Sequence, residues 1–142
     1  MKILNKKDIK KIQDSIKEQF GVDYKFKDAV LKNNDDKIYI LSNDFGNVEV
    51  KNRINSLGLY FGRIQNGMIR LSIEGSQLVK GKNNVIEIKD SEVKSWLKGQ
   101  ELKTNEEAKG FVIIKNKDDY LGSGSIKDGK ILNYVPKDRR IR

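Results

Sequence analysis

Apolar residues recur along this chain in two rhythms. Near the start, Ile9, Ile12 and Ile16 fall at i, i+3 and i+7, and Phe20 continues the stripe. That spacing predicts a helix whose apolar face excludes most of Lys6, Lys7, Lys10, Lys11 and Lys17. Asn5 or Asp8 is placed to cap its start, and Gly21 stands where a helix end takes a left-handed residue. A basic amphipathic helix suits a membrane surface. Packing on a sheet suits this one better, because the strands downstream need a cover.

The second rhythm is that of strands. Val22 to Asn34 is ambiguous: Phe26, Val30 and Leu31 fit either a helical turn or a short strand. Asn33-Asn34-Asp35-Asp36 reads as a turn, and Lys37 to Leu41 as a β-branched and aromatic strand. Asp44 to Asn47 turns again, and Val48 to Ile54 fits a helix or a short strand. Leu57 to Ile64 is a strand interrupted by glycines, and Asn66-Gly67 is the strongest short signal for a two-residue hairpin. The return strand is read from Met68 to Gly75, because Ile69, Leu71 and Ile73 alternate with Arg70, Ser72 and Glu74. Ser76 to Val79 is left for a helical turn.

Gly81-Lys82-Asn83-Asn84 is a polar break, and the domain boundary is placed there: 1–82 and 83–142. Beyond it, Val85, Ile86 and Ile88 form a strand. Asp90 is the expected N-cap of a helix carrying Val93, Trp96 and Leu97 on one face and ending at Gly99. Trp96 offers a base-stacking surface, but on an apolar helical face it reads first as core. Thr104-Asn105-Glu106-Glu107 has the form of a capping box, predicting a short helical turn before Gly110. Phe111 to Ile114 is apolar without alternation, so it reads as a strand covered on both faces, as in a small closed barrel. Asn116 to Asp119 is a turn. Gly122 and Gly124 leave one face of the next strand bare for a close neighbour. Asp128-Gly129 is a second hairpin signal. Ile131, Leu132, Tyr134 and Val135 form the last strand, which ends at Pro136.

Composition narrows the chemistry. The 142 residues include no cysteine and no histidine. Disulfides, thiolate chemistry, the usual zinc sites and His-based catalysis are therefore excluded. Gly122-Ser123-Gly124 lacks the third glycine and the following helix of a dinucleotide fingerprint. Asp35-Asp36 and Asp118-Asp119 sit in predicted turns and read as turn formers, not acid/base pairs. No catalytic constellation, cofactor loop or metal set emerges, so the expectation is a protein that is not an enzyme and needs no cofactor. No long apolar run and no signal-like start are evident, so the expected setting is cytoplasmic, with no membrane partner.

The net charge of +9 favours a polyanionic partner. Lys98 and Lys103 flank the predicted helix end. Lys115 and Lys117 follow the apolar strand. Lys127, Lys130, Lys137, Arg139, Arg140 and Arg142 gather near the last turns and the end. On a closed barrel several of these would share a rim and meet phosphates. Lys98, Lys115, Lys117, Lys137, Arg139 and Arg140 are the candidate phosphate contacts. Tyr120 and Tyr134 are candidates for base stacking or for half-buried strand positions, and Tyr134 is the one retained as an RNA-binding residue.

Two stretches carry a family resemblance. Phe61-Gly62-Arg63-Ile64-Gln65-Asn66-Gly67-Met68-Ile69-Arg70-Leu71-Ser72-Ile73 resembles a hairpin in the first domain of Nip-seven-type ribosome biogenesis proteins. Trp96-Leu97-Lys98-Gly99, with Gly110 to Ile114 and Leu121-Gly122-Ser123-Gly124, resembles their C-terminal PUA domain. The same pattern, ending Asn133-Tyr134-Val135-Pro136-Lys137, is similar to the PUA-like tail of some RNA cytosine methyltransferases. The resemblance implies an α+β chain: an N-terminal α/β domain with an antiparallel sheet, joined to a C-terminal PUA-like β pseudobarrel. It implies RNA binding, to ribosomal RNA or transfer RNA, in ribosomal RNA processing or RNA modification. Pre-ribosome or RNA-modification proteins are the expected protein partners. The alternative is an adaptor for an RNA-modifying enzyme such as an RNA methyltransferase. The chain departs from the pattern in being shorter than many relatives and in a tail denser in arginine.

Overall fold

A computed structural model describes residues 1–41 and 58–142. The expected turn at Asp44–Asn47, the ambiguous Val48–Ile54 and the first residue of the strand begun at Leu57 lie outside the described residues. The architecture is α+β. An antiparallel N-terminal sheet has the order β1-β2-β3-β4-β5: Lys2–Ile3, Ala29–Lys32, Lys37–Leu41, Leu59–Gln65 and Met68–Leu71. A curled, half-barrel C-terminal sheet has the order β6-β8-β9-β10-β7: Val85–Glu87, Phe111–Asn116, Asp119–Lys127, Lys130–Asn133 and Leu102–Lys103. In it, β6 runs parallel to β8 and the other pairs are antiparallel.

Helix α1, Lys6–Phe20, forms where the apolar stripe predicts it. Asn5 is its cap, accepting from the Asp8 N–H, and Gly21 closes it at φ 72°. Ile12, Ile16 and Phe20 pack on Val30, Ile38, Phe61, Ile69 and Leu71, so α1 covers one face of the N-terminal sheet. The ambiguous Val22–Asn34 resolves into an extended segment and a strand: Tyr24 and Phe26 pack on Phe61, and β2 follows. Asn66 and Gly67 take φ 55° and 74°, which both central residues of a type I′ hairpin require.

Three expectations are corrected. The return strand stops at Leu71, not Gly75. The Ser72 hydroxyl accepts from the Gly75 N–H and caps helix α2, Ile73–Val79. A capping serine followed by helical residues overrides the alternation that Ile73 continues. Helix α3, Asp90–Leu97, is capped from Lys89, not Asp90: Glu92 accepts from the Lys89 N–H at 2.9 Å. The Asp90 carboxylate turns instead to Asn116 and Lys117. Thr104–Gly110 holds no helix. The Thr104 hydroxyl bonds the Glu106 N–H two residues on, which fixes a local turn and leaves no run to propagate.

Trp96 is fully buried among Ile88, Leu102, Val112, Ile114, Ile131 and Val135, and its indole N–H donates to the Leu121 carbonyl at 2.8 Å. The two halves share their cores. Ile113 of β8 sits with Phe20 and Val79, whereas Ile73 of α2 sits with Trp96. Across the junction, Ser123 Oγ donates to the Leu71 carbonyl and the Gly122 N–H donates to Ser76 Oγ.

Candidate nucleic-acid interface

The chain's last residues fold back on the end of α3. Pro136 leads into a 3₁₀ turn, Lys137–Arg139, and the Ile141 N–H donates to the Leu97 carbonyl. Asn133 Nδ2 donates to the Trp96 and Gln100 carbonyls, and Arg140 Nε donates to the Val135 carbonyl. Carbonyls left open at a helix C-terminus carry partial negative charge, so a basic tail is favourable here. The tail thereby sets Arg140 against Gly99 at the end of α3, and Lys98, Lys137 and Arg140 are all exposed to solvent.

The other predicted residues lie elsewhere. Lys115 and Lys117 are at the far end of β8, beside the start of α3. Lys117 pairs with Asp90 at 3.0 Å, and its backbone N–H donates to Glu87. Lys115 lies over the Tyr120 ring. The structure thus divides the expected rim between two ends of α3, and at the Lys117 end carboxylates offset the charge. The Asn116 amide, then Lys117, hold the Asp90 carboxyl below its ordinary pKa. Whatever stability this exposed pair supplies is present above the unfolded Asp pKa and is lost as pH falls through the folded one. A carboxyl titration followed by NMR should give Asp90 a midpoint below the usual value. Asn116→Ala should raise it more than Lys117→Gln; an unmoved midpoint in both variants would refute these contacts.

Arg139 and Tyr134 face a third place, a cleft of about 500 Å³ between the two halves. Arg139 pairs with Glu74 at the start of α2. Tyr134 is half-buried, its hydroxyl within 3.0 Å of Ser125 Oγ, its ring edge-on to Phe111 and capped by the Arg70 guanidinium at 4.6 Å. The opposite wall is the sheet face turned away from α1. It presents Lys37, Tyr39, Tyr60, Arg63 and Arg70. The rings of Tyr39 and Tyr60 are 5.5 Å apart, and Lys37 lies over Tyr60. Burial raises the Tyr60 pKa, with the Arg70 charge opposing it, so its hydroxyl stays protonated at neutral pH. Sequence reasoning did not single out Tyr39, Tyr60 or Arg70 as site residues. The signal was present in the wet positions of the alternating strands, Lys37 and Tyr39 on β3 and Arg70 on β5.

The described residues contain no group of acidic side chains arranged to hold a metal, and none of their helices is long and apolar enough to cross a membrane. Residues 83–141 match the family model of the methyltransferase RsmF PUA domain. The C-terminal half is a PUA-like module. No curated protein matches the chain.

Proposed function

We propose that this chain is a non-catalytic, cytoplasmic RNA-binding protein acting in ribosomal RNA processing or RNA modification, with residues 83–142 as its PUA-like RNA-binding domain and 1–82 as an accessory α/β domain. The observation that carries the reading is the basic tail folded back on the end of α3, with Lys98, Lys137 and Arg140 exposed on the segments it brings together. The match of residues 83–141 to the methyltransferase RsmF PUA domain supports the same reading. Arg139 contributes at the margin, because Glu74 engages it.

Binding to ribosomal and transfer RNA, against duplex DNA of equal length, across a salt series tests this. Tight, RNA-selective binding with a steep salt slope is expected. The side chains of Lys98 and Lys137 make no ion pair or hydrogen bond among the described residues, so Lys98→Glu/Lys137→Glu should leave the fold intact. It should weaken RNA binding and reduce the salt slope by roughly 0.7–0.9 for each lost phosphate contact. Unchanged affinity and slope would remove these residues from the site. Equal, weak binding of RNA and DNA by the native chain would defeat the RNA reading and favour an adaptor of an RNA-modifying enzyme.

A further inference from the structure

Three cations lie side by side across the N-terminal sheet: Lys37 opposes Arg63, and Arg63 opposes Arg70. Like charges directly opposite on neighbouring strands destabilise a sheet. None of the three pairs with a carboxylate among the described residues. All three are half-buried, which removes part of the water that would screen them. The next cross-strand pair on this face is Tyr39 and Tyr60. A second lysine row, Lys103–Lys130–Lys127, crosses β7, β10 and β9. That row is fully exposed, and the hollow beside it is lined by Glu87, Glu92, Glu106 and Asp128, so its charge is screened and offset. The first row is less exposed; its cleft also holds Glu74 and Asp138, but Arg139 engages Glu74, and among the described residues Arg63 and Arg70 bond only neutral oxygens, those of the Asp35 carbonyl and the Gln65 amide. A sheet that holds three cations abreast at one wall of a cleft, beside two facing tyrosines, is built for a ligand that is anionic along one edge and aromatic along the other.

We infer that the cleft between the two halves binds single-stranded RNA, with phosphates on Lys37, Arg63 and Arg70 and an unstacked base against Tyr60. This deepens the RNA-binding reading and rests on it: it adds a base-contacting site at the junction, with the N-terminal sheet supplying most of the groups. Duplex RNA would not serve, because its bases are already stacked and paired, whereas splayed single strands present faces to aromatic side chains. An acidic polypeptide would satisfy the cation row but leave the tyrosines without a partner.

Fluorescence anisotropy with a short labelled single-stranded oligoribonucleotide, its duplex, and poly-aspartate as competitor tests the site. Tyr60→Leu should weaken single-strand binding by about tenfold or more, while Tyr60→Phe keeps it, since stacking needs the ring and not the hydroxyl. Arg63→Gln should weaken binding and lower the salt slope by about 0.7. Relief of repulsion within the row offsets the lost bond from Arg63 Nε to the exposed Asp35 carbonyl, so thermal stability should stay about equal; a merely structural arginine would lose stability instead. If the native chain binds the single strand and these variants bind it equally well, the cleft assignment is wrong while the RNA reading survives. If the native chain binds neither strand nor duplex, both fall. If poly-aspartate displaces the RNA as well as unlabelled RNA does, the cleft is an acidic-peptide site and the base contact is overturned.

Discussion

Trp96→Ala should lower the unfolding free energy by about 3–5 kcal/mol, the range for deleting a large buried aromatic. The indole is fully buried at the centre of the C-terminal core, and its N–H satisfies the Leu121 carbonyl. Its ring reaches Gly124, where a Cβ would stand 3.0 Å from the indole. The strand glycine and the helix tryptophan are therefore one fitted pair, and alanine leaves a cavity that the surrounding sheet cannot close. Against a total stability of roughly 5–15 kcal/mol, such a loss removes about a fifth or more. Urea unfolding followed by far-UV circular dichroism checks it: the midpoint should fall with the slope unchanged. Trp96→Phe should cost less, since it retains most of the volume. A loss under about 1 kcal/mol for the alanine variant would contradict this packing.

Gln19→Leu should destabilise almost as much, by about 2–6 kcal/mol, although it replaces a polar residue with an apolar one of similar size. Gln19 is buried, and its amide meets the backbone of Ile69 twice. Nε2 donates to the Ile69 carbonyl at 2.8 Å, and Oε1 accepts from the Ile69 N–H at 3.0 Å. Ile69 lies on β5, the last strand of its sheet, and these are the groups facing away from β4. The side chain thus stands in for one residue of a missing neighbour strand. Leucine fills the space but leaves a donor and an acceptor unpaired, at about 1–3 kcal/mol each. Gln19→Glu isolates the parts: its protonated carboxyl can both accept from the N–H and donate to the carbonyl, whereas its ionised form accepts only. Denaturant unfolding should place the glutamate variant between leucine and native at pH values that keep the acid protonated, and lower it as the acid ionises. Equal stability of the leucine variant and the native chain would show that the two bonds carry no weight.

Local chemistry made much of the fold legible. The stripe Ile9–Phe20 located α1, Asn66-Gly67 and Asp128-Gly129 located two hairpins, and the unbroken run Phe111–Ile114 located the strand covered on both faces. The errors lie where two local signals compete. Ser72 is at once a polar position in an alternating strand and a helix cap, and the cap prevails. Thr104 begins a plausible capping box, but its hydroxyl closes a tighter turn first. Strands β1 and β7 are two residues each, too short for any periodicity, and exist through their pairing with β2 and β10. The site was less legible for a different reason. Charge along the chain shows how many cations there are, not which of them meet. Lys117 stands beside Asp90 and Arg139 beside Glu74, and neither neighbour is evident from position along the chain. Lys37, Arg63 and Arg70 look unrelated in the chain and become neighbours through strand register alone.

Because Ile113 belongs to the core beneath α1 and Ile73 to the core around Trp96, neither half can loosen without opening the other. Backbone amides of Val112 and Leu71 should therefore exchange with solvent through the same global event, and unfolding should follow one transition. The cleft framed by the two halves then keeps a fixed width. A ligand of the kind proposed for it would then be selected by fit, as by a gauge, with nothing gained from closure.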